Sequence, residues 1–247
     1  MRDYKKEFDE RVKFIKDLID SSGTKGIVFG NSGGKDSALV GILCKAACEN
    51  TLGIMLPCES RQNFEDDTRD ALKLAEKYDI ETLSVDLTTV KFALIDAAEK
   101  IQPLSEQAKS NIAPRLRMTT LYAVAQSRGC LVAGTSNRSE IYLGYFTKWG
   151  DGGYDFNPIA DLTATEVIEF LYYLDAPIEI IKKAPSAGLF EGQTDEADMG
   201  MKYADIDRYL LSGEGEEEII EKIERFHRTT RHKTKPPVIY KPRENLG

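Results

Sequence analysis

Apolar residues recur at Phe8, Val12, Ile15 and Ile19 with helical spacing, which predicts an amphipathic helix ended by Ser21-Ser-Gly-Thr. Gly26-Ile-Val-Phe-Gly30 then reads as a short buried strand. A second helix carries Leu39, Val40, Leu43 and Ala47 on one face. The alternation repeats: Leu52–Pro57 as strand, Ala71, Leu74, Ala75 and Tyr78 marking a helix, Thr82–Val85 as strand, Met118–Gln126 as helix, and Cys130–Gly134 as a fourth strand. Strands alternating with helices imply right-handed crossovers and a doubly wound parallel α/β sheet covered on both faces. Ligands bind such sheets at the carboxyl ends of the strands, so chemistry is sought after Phe29, Leu56, Val85 and Gly134.

Beyond the fourth strand the pattern changes. Residues 145–158 are rich in Gly, Asp and aromatics, and 163–174 are helical with Val167, Leu171 and Leu174 in register. Residues 184–200 are Gly-rich and polar without periodicity and read as a lid loop. Two helices follow, one with Ile206 and Leu210, the other with Ile219, Ile223 and Phe226, before an extended end at Lys235-Pro-Pro.

The 247 residues suit one large domain, read here as a single unit over 1–247. No apolar run is long enough to span a bilayer, and the N-terminus has no signal-peptide core, so a cytoplasmic location is expected. The net charge of −8 argues against general nucleic-acid binding. The four cysteines (Cys44, Cys48, Cys58 and Cys130) form no Cys-x-x-Cys pair, and there are only two histidines. Buried thiols are therefore expected rather than a zinc site. Charge is uneven: Arg225 to Arg243 holds seven Lys/Arg and no acid, which suits either a solvated tail or a segment that meets an anion.

Ser32-Gly-Gly-Lys-Asp-Ser37, between the first strand and its helix, carries the strongest chemical signal. Gly33 and Gly34 let consecutive N–H groups converge on an anion at a helix N-terminus, and Ser32 and Ser37 add hydroxyl donors. Asp36 beside a phosphate requires a cation, which implies Mg²⁺. The spacing is not that of a P-loop NTPase.

This hexapeptide resembles the pyrophosphate loop of the N-type ATP pyrophosphatases, which activate a carboxylate or carbonyl oxygen as an adenylate. Within that class four further segments resemble the ammonia-dependent NAD synthetases: Asn111–Met118, Gly134–Glu140, Phe146–Ile159 and Lys182–Glu196, joined by His232-Lys233 in the basic tail. The resemblance implies a ligase that amidates deamido-NAD with ammonia, consuming ATP and giving NAD, AMP and pyrophosphate. It implies that Gly30, Asn31, Ser32, Gly33, Gly34, Lys35, Asp36 and Ser37 bind ATP with Thr135 and Ser186. Asp36 and Glu140 would ligate Mg²⁺, and Lys183 would act with Asp36 in catalysis. Arg115, Lys148, Asp155, His232 and Lys233 would meet deamido-NAD.

It further implies a homodimer with sites at the interface, to which Arg115 contributes. No glutamine amidase domain is expected, because the synthetase motifs begin at residue 30, so free ammonia or a separate donor subunit is implied. One departure stands out. Ala164 occupies a position where the family carries a phosphate-contacting lysine, and Lys35, Lys182 and Lys183 are the alternatives at hand. Two rivals remain: another pyrophosphatase of the same class, and a non-catalytic nucleotide-binding module.

Overall fold

The computed structural model describes residues 2–59, 62–183 and 195–240. Its elements run α1 (Tyr4–Ser22), β1 (Ile27–Gly30), α2 (Lys35–Ala47), β2 (Thr51–Met55), α3 (Gln62–Tyr78), β3 (Glu81–Ser84), α4 (Thr88–Glu99), α5 (Glu106–Ser110), α6 (Ile112–Arg128), β4 (Leu131–Ala133) and α7 (Arg138–Leu143). There follow α8 (Ala164–Tyr173), α9 (Ile178–Lys182), α10 (Asp195–Met199), α11 (Tyr203–Ser212), α12 (Glu217–Thr230) and a 3₁₀ turn over Arg231–Lys233.

The four strands are parallel, in the order β3-β2-β1-β4. β1 and β2 lie inside the sheet and, apart from the buried Thr51 that opens β2, are apolar, as suits strands covered on both faces. Side chains alternate across β1. Ile27 and Phe29 enter one core with Ile15 of α1, Leu39 and Leu43 of α2, and Phe170 and Leu171 of α8. Val28 points the other way, packing with Leu52, Ile54 and Val132 against Ala113 and Ala125 of α6. A third cluster joins Leu143 of α7 to Met199, Tyr203, Ile206 and Ile223 of the C-terminal helices.

The chain leaves β1 toward β2 and β3 on one side, then returns through α4–α6 to place β4 on the other side. The carboxyl ends of β1 and β4 therefore flank a topological switch point, where the sheet opens a crevice.

The structure adds elements that periodicity did not reveal. α4 exposes Val90, Phe92 and Leu94 while burying Lys91, so it has no clean apolar face to recognise. The expected lid over 184–200 ends differently from a loop. Asp195–Met199 is helical, and Met199 is 1% exposed in the third core cluster. Residues 184–194 lie outside the described residues, and with them Ser186. Three of the four cysteines are buried, and all four are free, as expected of small apolar fillers.

Candidate active site

At the end of β1, Gly33 has φ +71°, a left-handed conformation that disfavours a side chain. A Cβ there would lie 2.2 Å from the backbone oxygen of Asp67 in α3. The loop is closed by its own hydroxyls: Ser37 Oγ donates to Gly34 O at 3.0 Å and lies 3.0 Å from Ser32 Oγ, which accepts from Gly34 N at 3.3 Å. Gly34 is the N-cap of α2, and no side chain caps the helix. The first-turn N–H groups and the positive end of the helix dipole are thus left to serve an anion.

At the end of β4, Asn137 caps α7 and forms a capping box with Glu140. Its Oδ1 accepts from Glu140 N at 3.0 Å, and its own N donates to Glu140 Oε2 at 3.2 Å. The remaining polar group of the side chain, Nδ2, donates to Asp36 Oδ1 at 3.0 Å. One buried asparagine, 2% exposed, therefore fixes the two acids that the sequence proposed as metal ligands. Burial raises the Asp36 pKa against the pull of Asn137 and Lys35. Glu140 is raised well above the usual range, by burial first and then by repulsion from Asp36 and Asp195.

Both loops open into one cleft of about 1320 Å³, enough for two nucleotide-sized ligands. Among the described residues its walls carry eight acids (Asp36, Asp66, Asp67, Glu106, Glu140, Asp151, Asp195 and Asp198) and four cations (Lys35, Arg117, Lys183 and Lys233). An acid-rich wall of this kind can accept a polyphosphate only with a cation between them. Two hard carboxylate oxygens held in mutual repulsion suit Mg²⁺. Among the described residues no three His, Cys, Asp or Glu converge as a complete cage, so phosphate oxygens and water would supply the other ligands.

Lys183 reaches back across the cleft to Gly33 O at 3.3 Å, Asp70 Oδ2 at 2.8 Å and Asp67 Oδ1 at 2.7 Å. Burial opposes its charge, but the two aspartates overcome this and raise its pKa. Lys35 donates to the carbonyl of Lys183. Lys182, by contrast, is exposed and does not line the cleft. Ala164 lines the cleft at the first position of α8, so the place of the family lysine faces the site.

The residues expected to meet deamido-NAD divide. Lys233 lines the cleft and donates to Gly144 O and Phe146 O, each at 2.8 Å. Lys148 and His232 are brought together by a 2.8 Å bond from Lys148 Nζ to His232 O, on the outer side of the same loop. Asp155 braces the fold: Oδ2 accepts from Val132 N at 2.8 Å and Oδ1 from the Tyr122 hydroxyl at 3.0 Å. Arg115 is exposed on α6, and among these residues Arg115, Lys148, Asp155 and His232 are not part of the cleft wall. Trp149 is 55% exposed with Lys148 Nζ 5.4 Å from its ring, so it is no core tryptophan.

Residues 7–237 match the family model described as NAD synthase. The chain belongs to that family. It is 44% identical to the NH(3)-dependent NAD(+) synthetase of Carboxydothermus hydrogenoformans, over 96% of this chain and 97% of that one. Among solved structures it resembles an NMN synthetase from Francisella tularensis at a TM-score of 0.92 and 35% identity, covering 97% and 99% of the two chains. It also resembles an NH3-dependent NAD synthetase from Campylobacter jejuni at 0.81 and 29%, covering 98% and 100%. Membership of this family sets aside the other pyrophosphatases and the non-catalytic module. Asn137, Arg117, Asp67 and Asp70 join the site without being among the residues expected from the sequence. Asn137 was detectable, since Asn followed three residues later by Glu is a capping-box signature.

Proposed function

We propose that this chain amidates deamido-NAD with ammonia, using ATP and Mg²⁺, and releases NAD, AMP and pyrophosphate. The observation that carries this reading is the Asp36–Asn137–Glu140 bridge between two loops at the switch point, in a cleft with room for both nucleotides. The loop from Gly30 to Ser37, with Thr135, would hold the ATP phosphates, and Asp36 and Glu140 would hold Mg²⁺. When bound, the ion neutralises the phosphates and draws charge from the departing pyrophosphate.

The nicotinate carboxylate oxygen attacks the α-phosphorus, and the bond to pyrophosphate breaks. The open N–H groups of α2 and Lys35 take up charge on the leaving group. Ammonia then attacks the acyl carbon of the adenylate, AMP departs with the bonding pair, and the new amide nitrogen gives up its proton to solvent. Lys183 ties the segment leading to residue 184 against the loop, positioning it rather than reacting.

Arg115, Lys148, Asp155 and His232, which lie outside the cleft wall, would reach deamido-NAD across a homodimer. The apolar exposure of Val90, Phe92 and Leu94 on α4 supports such pairing. Molecular mass in solution tests it.

A second reading concerns the acceptor alone. The resemblance to the NMN synthetase, at the higher of the two TM-scores, favours nicotinate mononucleotide. ATP-to-AMP turnover with ammonium and each acceptor, with products identified, separates the two. Faster turnover on deamido-NAD is expected, and preference for the mononucleotide would replace the first reading by the second. Restoring the missing cation with Ala164→Lys should raise kcat about tenfold, a fraction of what a preorganised charge contact contributes. An unchanged kcat would show that Lys35 and Lys183 already suffice.

A further inference from the structure

Arg117 is the cleft cation with the most unused hydrogen-bonding capacity. Lys183 is paired with Asp67 and Asp70, Lys35 is bound to the Lys183 carbonyl, and Lys233 is bound to two carbonyls. Arg117 donates through Nε to Leu56 O at 3.0 Å, and among the described residues no carboxylate lies within ion-pair distance of it. A guanidinium has five N–H donors. The Nε bond fixes its plane and leaves the fork of two terminal nitrogens to the cleft, which it lines. Burial lowers its pKa, and Cys58, Asp151 and Asp67 pull the other way without cancelling that cost. A desolvated, oriented, unpaired guanidinium suits a bidentate phosphate.

Position decides which phosphate. The triphosphate belongs at the loop after β1, where α2 and Asp36 serve it. Arg117 instead sits at the end of β2, and Asp151 feels both Arg117 and Lys233. Arg117 and Lys233 thus flank one acid, Asp151, where residues 144–151 line the cleft.

We propose that Arg117 grips a phosphate of the nicotinate nucleotide acceptor. This rests on the amidation reading above, and it holds whether that phosphate belongs to a mononucleotide or to the pyrophosphate of a dinucleotide. The carboxylate is excluded as its target because that group must travel to the α-phosphorus of ATP.

The test compares wild type with Arg117→Gln and Arg117→Lys. The acceptor KM should rise roughly 30-fold in the glutamine variant and less in the lysine variant, which keeps the charge but loses the fork. The ATP KM should stay within about twofold, and melting temperatures should be similar. Inhibition by the amide product, which retains the phosphate but lacks the carboxylate, should weaken by the same factor as the acceptor KM. Running both acceptors shows whether a monoester or a pyrophosphate is held.

Unchanged product inhibition would assign Arg117 to the carboxylate and overturn the proposal. A rise in the ATP KM instead, or an equal rise in both constants with a fall in melting temperature, would overturn it too. If wild type amidates neither acceptor, the amidation reading itself fails, and that result is distinct from all of these.

Discussion

Asp36→Asn is expected to lower kcat by about three orders of magnitude while leaving the protein as stable as wild type, or more so. The two effects have one cause. Asp36 is half-buried near Glu140, and the two acids and Asp195 oppose one another. A neutral isostere removes that repulsion and still offers Asn137 an oxygen to accept its amide, so the ligand-free fold gains. The same change takes one negative charge from the ion that serves the phosphates. Losing about 4 kcal/mol of transition-state stabilisation corresponds to the thousandfold fall. Steady-state pyrophosphate release and thermal melting without nucleotide, measured on one preparation, check both halves. A kcat within tenfold of wild type would remove Asp36 from the metal.

Asp207→Ala should cost about 3–4 kcal/mol and lower the melting temperature by roughly 10 °C. Asp207, on α11, is 2% exposed and accepts three hydrogen bonds: from Ser139 Oγ at 2.5 Å, Thr165 N at 2.7 Å and Thr165 Oγ1 at 2.6 Å. Ser139 Oγ in turn accepts from Ala164 N at 3.2 Å. Truncation leaves these donors buried without an acceptor, which costs more than the bonds themselves contribute. Asp207→Asn should lose far less, because an amide oxygen still serves Thr165. Ser139 precedes Glu140, so activity should fall along with stability in the alanine variant. A calorimetric melt of Asp207→Ala superimposable on wild type would show that α7 and α8 are held by apolar packing alone.

The two acids behind these effects show what sequence can and cannot convey. Asp36 stood out because its neighbours in the chain are glycines and serines, a local arrangement with a local purpose. Asp207 did not, because its partners Ser139 and Thr165 are 68 and 42 residues away, and nothing near it in the chain marks it. Arg115 and Arg117 make the same point. Two residues apart on a helix, they lie about 200° apart around its axis, so only one can face a given neighbour. Sequence resemblance drew attention to Arg115, whereas the packing of α6 against β1 and β4 turns Arg117 toward the cleft. Asp155 carries a charge that suits a ligand, yet the approach of residues 155–156 to β4 gives its oxygens to Val132 and Tyr122.

The alternation of apolar strands and amphipathic helices determined the parallel α/β architecture, and the glycine-flanked loop marked a turn whose N–H groups can face an anion. Both follow from interactions between residues close in the chain, which leave a period or a motif to read. The strand order, the Asn137 bridge between Asp36 and Glu140, the capture of Lys183 by Asp67 and Asp70, and the open fork of Arg117 were decided only when distant segments packed. Such contacts depend on the relative placement of whole elements, and the chain carries no local periodicity that encodes it.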